Sequence, residues 1–130
     1  MIKLAARDMG QRKPLALIIE DDARAADALG LILADWGAEV LHLQGESDLA
    51  RRLDNGLGDV RWIITDFHLG DGLDGVALVQ GLKAQAPQAR VLVLSGSFPG
   101  KASAAAEKAG LEIMPKPARA AAIVAWLERA

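Results

Sequence analysis

The chain of 130 residues contains no cysteine. A disulfide framework, a thiol nucleophile and a Cys-ligated zinc are thereby excluded. Its two histidines, His42 and His68, fall on different segments, so no imidazole metal centre is expected. No apolar run reaches the ~18–20 residues of a membrane-crossing helix, and the opening "MIKLAARDMGQRKP" lacks the apolar core of a signal peptide. A cytoplasmic location is expected. Neither sign of charge dominates, and a net charge of −2 offers no electrostatic footprint for nucleic acid. Internal repeats and low-complexity linkers are also lacking. What is present is a soluble globular composition, 52% hydrophobic and 25% charged, in a chain long enough to bury one core.

Four apolar segments read as buried strands: "LALII" (15–19), "WII" (62–64), "VLVL" (91–94) and "LEIM" (111–114). A fifth, "AEVLHL" (38–43), alternates apolar with polar and reads as an edge strand, carrying His42 far from the other polar candidates. Helical patterns lie between them. Asp22 is placed to cap a helix with Ala25, Ala28, Leu29, Ile32 and Trp36 inward and Gly37 as its stop. Leu49 and Leu53 mark a short second helix. Asp74 is placed to cap a third, with Leu78, Val79, Leu82 and Ala86 inward. A fourth turns only Ala102, Ala105, Ala106 and Ala109 inward. The fifth runs from about Ala118, with Ala120, Ile123, Val124 and Leu127 buried.

Strict alternation with short links predicts an α/β fold: a five-stranded parallel sheet covered by helices on both faces. The expected strand order is the flavodoxin-like 2-1-3-4-5. Residues 14–130 would form this single domain, and residues 1–13 a basic arm with freedom to move.

Sites in such sheets form beyond the carboxyl ends of the central strands. Glu20, Asp21 and Asp22 follow the first strand, Asp66 the third, Ser95 and Gly96 the fourth, and Lys116 with Pro117 the fifth. Asp22, Asp71 and Asp74 are most simply caps and turn formers. The others converge: Glu20, Asp21 and Asp66 place like charges together, which is costly unless a cation sits among them. Hard oxygen donors with open positions suit Mg²⁺. Asp66, flanked by apolar strand, is then the carboxylate left to attack, and aspartate is a phosphoryl acceptor. Lys116, the Ser95 hydroxyl and the Gly96 backbone N–H would meet the oxygens of the moving group.

The ordered set "LIIEDD", "IITDFHL", "VLVLSG" and "MPKP" resembles the receiver domain of two-component response regulators, over essentially residues 14–130. The resemblance implies that Asp66 accepts a phosphoryl group from a histidine kinase or a histidine phosphotransfer protein. It further implies that Glu20, Asp21, Asp66 and the backbone carbonyl of His68 hold Mg²⁺, that Ser95 reorients toward the phosphoryl group, and that Lys116 is its counter-ion. A cis Lys116–Pro117 bond is implied as well. Such a domain is a signalling phosphoprotein that assists its own phosphorylation and dephosphorylation rather than a turnover enzyme. A stand-alone receiver and the receiver of a hybrid histidine kinase both fit; the downstream target is not legible.

Some residues depart from the family pattern. Ile113 stands where many receivers carry Tyr or Phe, Gly70 where Pro is common, Pro115 is extra, and Ala118 replaces a usual Phe. The output is therefore expected to run without an aromatic flip, through the loop from Ser95 to Lys101 that holds Phe98. Two alternatives stand beside this reading. A Toprim-like Mg²⁺-dependent nucleic-acid enzyme would want Asp-x-Asp at Asp66, where the sequence has Asp-Phe-His. A degenerate receiver acting only as a binding module would not need Glu20, Asp21, Asp66, Ser95 and Lys116 intact.

Overall fold

A computed structural model describes residues 14–44, 58–69, 74–96 and 100–129. Along the chain run β1 (Leu15–Ile19), α1 (Ala23–Trp36), β2 (Glu39–Leu43), β3 (Val60–Asp66), α2 (Gly75–Leu82), β4 (Arg90–Ser95), α3 (Lys101–Ala109), β5 (Glu112–Pro115) and α4 (Ala120–Glu128). All neighbouring strands are parallel, in the order β2-β1-β3-β4-β5. The expected helix around Leu49 and Leu53 lies outside the described residues, as do Gly70, Asp71 and Phe98.

The central strands are apolar throughout because both faces are covered. Leu15, Leu17 and Ile19 of β1 join one core with Ile63, Val91 and Val93, under Val76, Val79 and Leu82 of α2 and Ala102 and Ala106 of α3. Ala16 and Ile18 join the other with Trp62, Ile64, Leu92 and Leu94, under Leu33 and Trp36 of α1 and Ile123 and Trp126 of α4. Ala102 and Ala106 of α3 are buried in this core, with Ala105 and Ala109 partly buried against it, on the face their pattern marks. On the edge, β2 is buried only at Leu43.

The caps follow the sequence. Asp22 accepts from the N–H groups of Arg24 (2.9 Å) and Ala25 (3.4 Å). Asp74 accepts from that of Ala77 at 2.6 Å. Gly37 ends α1 at φ 124°, a conformation that side chains oppose.

Two helix faces differ from expectation. In α1, Ala28 is exposed, while Ala26 and Leu33 are buried with Trp36. The 3.6-residue period admits both stripes, and contact with the sheet selects the one through Ala26 and Leu33. In α4, Ala120 is exposed because the helix only begins there, and Trp126 is fully buried beside Ile123 and Leu127. Its ring lies under the Arg90 guanidinium, 4.7 Å from the centroid. Arg90 also donates to the carbonyls of Trp126 (2.7 Å) and Arg129 (2.9 Å), while Glu112 accepts from Trp126 Nε1 at 3.0 Å. This cluster fastens α4 to the amino ends of β4 and β5, leaving the carboxyl ends for other work.

Candidate functional site

Hydrogen bonds continue past the strand ends and set the level of each polar side chain. Glu20 N–H donates to the Leu43 carbonyl (3.1 Å), Phe67 N–H to Leu94 (2.9 Å) and Lys116 N–H to Ser95 (2.8 Å). Glu20, Asp66, Ser95 and Lys116 therefore stand at one end of the sheet.

Glu20, Asp21 and Asp66 each offer a carboxylate oxygen, and these oxygens all lie within 4.8 Å of one another. Among the described residues this is the one such cluster of potential carboxylate or imidazole ligands, and neither histidine ring belongs to it. Glu20 is buried, Asp66 half-buried and Asp21 exposed. Lys116 Nζ reaches Glu20 Oε1 at 3.1 Å and Asp66 Oδ2 at 3.2 Å. The Lys116–Pro117 bond is cis.

Burial pushes the Glu20 carboxyl above the usual range, and the nearby Asp66 charge adds to this. Hydrogen bonds from Lys116 and from the Asp22 N–H offset only part of it. Burial opposes the charge of Lys116 too, but its bond to Glu20 and the charges of Asp66 and Glu20 outweigh that and hold its pKa above the ordinary value. One ammonium is thus shared by two of the three acids, which leaves the cluster short of positive charge. Oxygen donors this close, part solvent-facing, could hold a metal ion.

Ser95 closes β4 fully buried. Gly96 follows at the surface, and a Cβ built there meets nothing within 4 Å among the described residues. His68 is exposed, with its ring edge-on to Phe67 at 4.8 Å between centroids. Ile113 is half-buried and packs against the core shared with α2 and α3. Ala118 borders an open cavity of 380 Å³ between α1 and the chain after β5, with Glu20 and Lys116 also lining it.

The sequence reading missed Gly75. A Cβ at this first residue of α2 would stand 2.2 Å from the Asp66 carbonyl oxygen and 2.6 Å from Thr65 Oγ1. Gly75 N–H also donates to the Phe67 carbonyl at 2.7 Å. Only glycine lets α2 press onto the backbone that carries Asp66. In the sequence Gly75 is marked only by its place directly after the Asp74 cap, which does not encode this contact. His42 is also not remote. Its Nε2 lies 2.7 Å from the Glu20 carbonyl oxygen, because β2 is the direct neighbour of β1.

Residues 16–128 match the response regulator receiver domain family. The chain belongs to that family. The receiver is also 34% identical over 115 residues to the DNA-binding transcriptional regulator NtrC of Azospirillum brasilense, covering 88% of this chain and 23% of that protein. The chain thus spans about a quarter of that relative's length. Among solved structures, it is similar to a response regulator protein from Burkholderia pseudomallei with a phosphorylated aspartic acid, calcium ion and citrate. The TM-score is 0.77 at 28% identity, covering 89% of this chain and 67% of that one. A receiver domain protein from Clostridium thermocellum shares the fold at TM-score 0.73 and 24% identity, covering 84% and 86% of the two chains. The receiver is a phosphoacceptor module of two-component signalling, and the acidic cluster fits a phosphorylation site. The nucleic-acid-enzyme alternative is not favoured. No helix among the described residues is long and apolar enough to cross a membrane.

Proposed function

We propose that Asp66 is the phosphorylated residue and that Glu20, Asp21, Asp66 and the His68 main-chain carbonyl hold Mg²⁺. One geometric relation supports this above others: an Asp66 carboxylate oxygen lies within 4.8 Å of oxygens of Glu20 and Asp21, while Asp66 is paired to Lys116 at 3.2 Å. The phosphorylated aspartic acid and calcium ion of the Burkholderia pseudomallei response regulator are consistent with the same chemistry here.

The donor is a phosphohistidine on a histidine kinase or histidine phosphotransfer protein. An Asp66 oxygen forms the new P–O bond as the P–N bond breaks, and the imidazole leaves with the electron pair and takes up a proton. Bound Mg²⁺ supplies charge neutralisation at the phosphoryl oxygens. Lys116 offers its ammonium, Ser95 its hydroxyl and Gly96 its N–H to the same oxygens. These groups assist both gain and loss of the phosphoryl group without making the domain a turnover enzyme. Residues 14–130 act as the receiver unit, in the cytoplasm, where such kinases present their phosphohistidine.

The test is incubation with an acyl phosphate and Mg²⁺, followed by mass spectrometry. The expected result is a gain of one phosphoryl group, mapped to Asp66 and absent from Asp66→Asn. Phosphorylation elsewhere, or none in the presence of Mg²⁺, overturns the assignment.

A further inference from the structure

Glu20 lies one residue past β1, and β2 ends at Leu43, level with Ile19. The Glu20 N–H is held by the Leu43 carbonyl. Its carbonyl stands beyond the last paired residue, and the half-buried His42 side chain reaches over from β2 to take it at 2.7 Å. A carbonyl oxygen only accepts, so Nε2 is the donor. Both polar groups of the Glu20 backbone are therefore tied to the edge strand. The second tie bears directly on the metal-binding acids, because this carbonyl belongs to the peptide that joins Glu20 to Asp21. Turning that peptide would re-aim both side chains. The Glu20 carboxylate has holders of its own, Lys116 at 3.1 Å and the Asp22 N–H at 3.3 Å. Asp21 is exposed, so its direction depends on the backbone that carries it.

We propose that His42 is a positioning residue for the acid pair: its Nε2–H holds the Glu20–Asp21 peptide in the orientation in which the two carboxylates meet a divalent cation. His42 touches neither the cation nor the phosphoryl group. It lowers the ordering that binding would otherwise require, as partners behind metal ligands do. The proposal rests on the reading of Glu20, Asp21 and Asp66 as the Mg²⁺ site.

The experiment is calorimetric titration of Mg²⁺ into metal-free wild type, His42→Leu and His42→Gln, with melting curves of each metal-free protein. His42→Leu fills the space without a donor and should bind about tenfold more weakly. His42→Gln keeps a side-chain N–H of similar reach and should recover most of the loss. A merely structural role would lower both melting temperatures and leave both affinities alone. If His42→Leu does not fold, His42→Asn, too short to reach the carbonyl, replaces it. Wild-type affinity in the donor-less variant, or equal weakness with and without the donor, overturns the role of His42. A wild type that takes up no Mg²⁺ overturns the metal reading itself, and the proposal with it.

Discussion

Lys116 and Asp66 belong to strand ends separated by β4, yet the Lys116 ammonium lies 3.2 Å from Asp66 Oδ2. The same nitrogen reaches Glu20 at 3.1 Å. Lys116 therefore spans the carboxyl end of the sheet and is shared between two acids that repel each other. Lys116→Met should destabilise the metal-free protein by about 1–3 kcal/mol, less than for a fully buried pair because solvent reaches the lysine. Mg²⁺ should then raise the melting temperature of the variant more than that of wild type, since the cluster has lost its one covalently attached cation. Equal melting curves with and without Lys116 would show that the pairing carries no stability.

Magnesium should stabilise the wild type. A ligand bound only by the native state adds RT ln(1 + [L]/Kd), roughly 1.4 kcal/mol at ten times Kd. Asp66→Asn removes one of the crowded charges while leaving the Lys116–Glu20 pair. It should melt higher than wild type without metal and respond less to Mg²⁺. Thermal scans across millimolar Mg²⁺ check both, and an unchanged wild-type curve counts against the site.

Gly75→Ala tests the contact between α2 and the strand that carries Asp66. The new methyl would meet main chain at 2.2 Å, so the helix or the strand end must move. The expected cost is about 1–3 kcal/mol despite the better helix propensity of alanine. Phosphoryl uptake should fall with it, because Asp66 shifts away from Glu20 and Lys116. Gly81→Ala, on the same helix with open space at its Cβ, is the control and should be neutral or stabilising.

At the opposite pole, Glu112 gives a pH signature. Burial is the largest single influence and opposes its ionisation, but the Trp126 indole and the guanidinium groups of Arg129 and Arg90 together outweigh it and hold its carboxyl below the ordinary value. A depressed folded pKa means stability that is present above the unfolded pKa and lost as pH falls through the folded one. Glu112→Gln should therefore cost about 0.5–1 kcal/mol at neutral pH, discounted because the side chain is 42% exposed. The difference from wild type should close in acid. Denaturation midpoints measured from neutral pH down past the carboxylate range give the comparison.

Much of this protein follows from local pattern. The unbroken apolar runs of β1, β3 and β4 demanded cover on both faces, and alternation with helices then left few parallel orders. Asp22, Asp74 and Gly37 marked helix ends because capping is short-range chemistry. Glu20, Asp21, Asp66 and Lys116 were legible as a group because a parallel sheet brings successive strand ends to one side. Tertiary structure decided what depends on close approach between distant segments. Gly75 carries no signal in the sequence beyond following the Asp74 cap; the approach of α2 to the Asp66 carbonyl is what requires it. His42 looked remote until the register of β2 on β1 set its ring on Glu20. Trp126 and the stripe through Ala26 and Leu33 were chosen by packing, since helical period alone allows several faces. Periodicity records which elements form; side-chain reach across strands, which sequence spacing does not encode, completes the site.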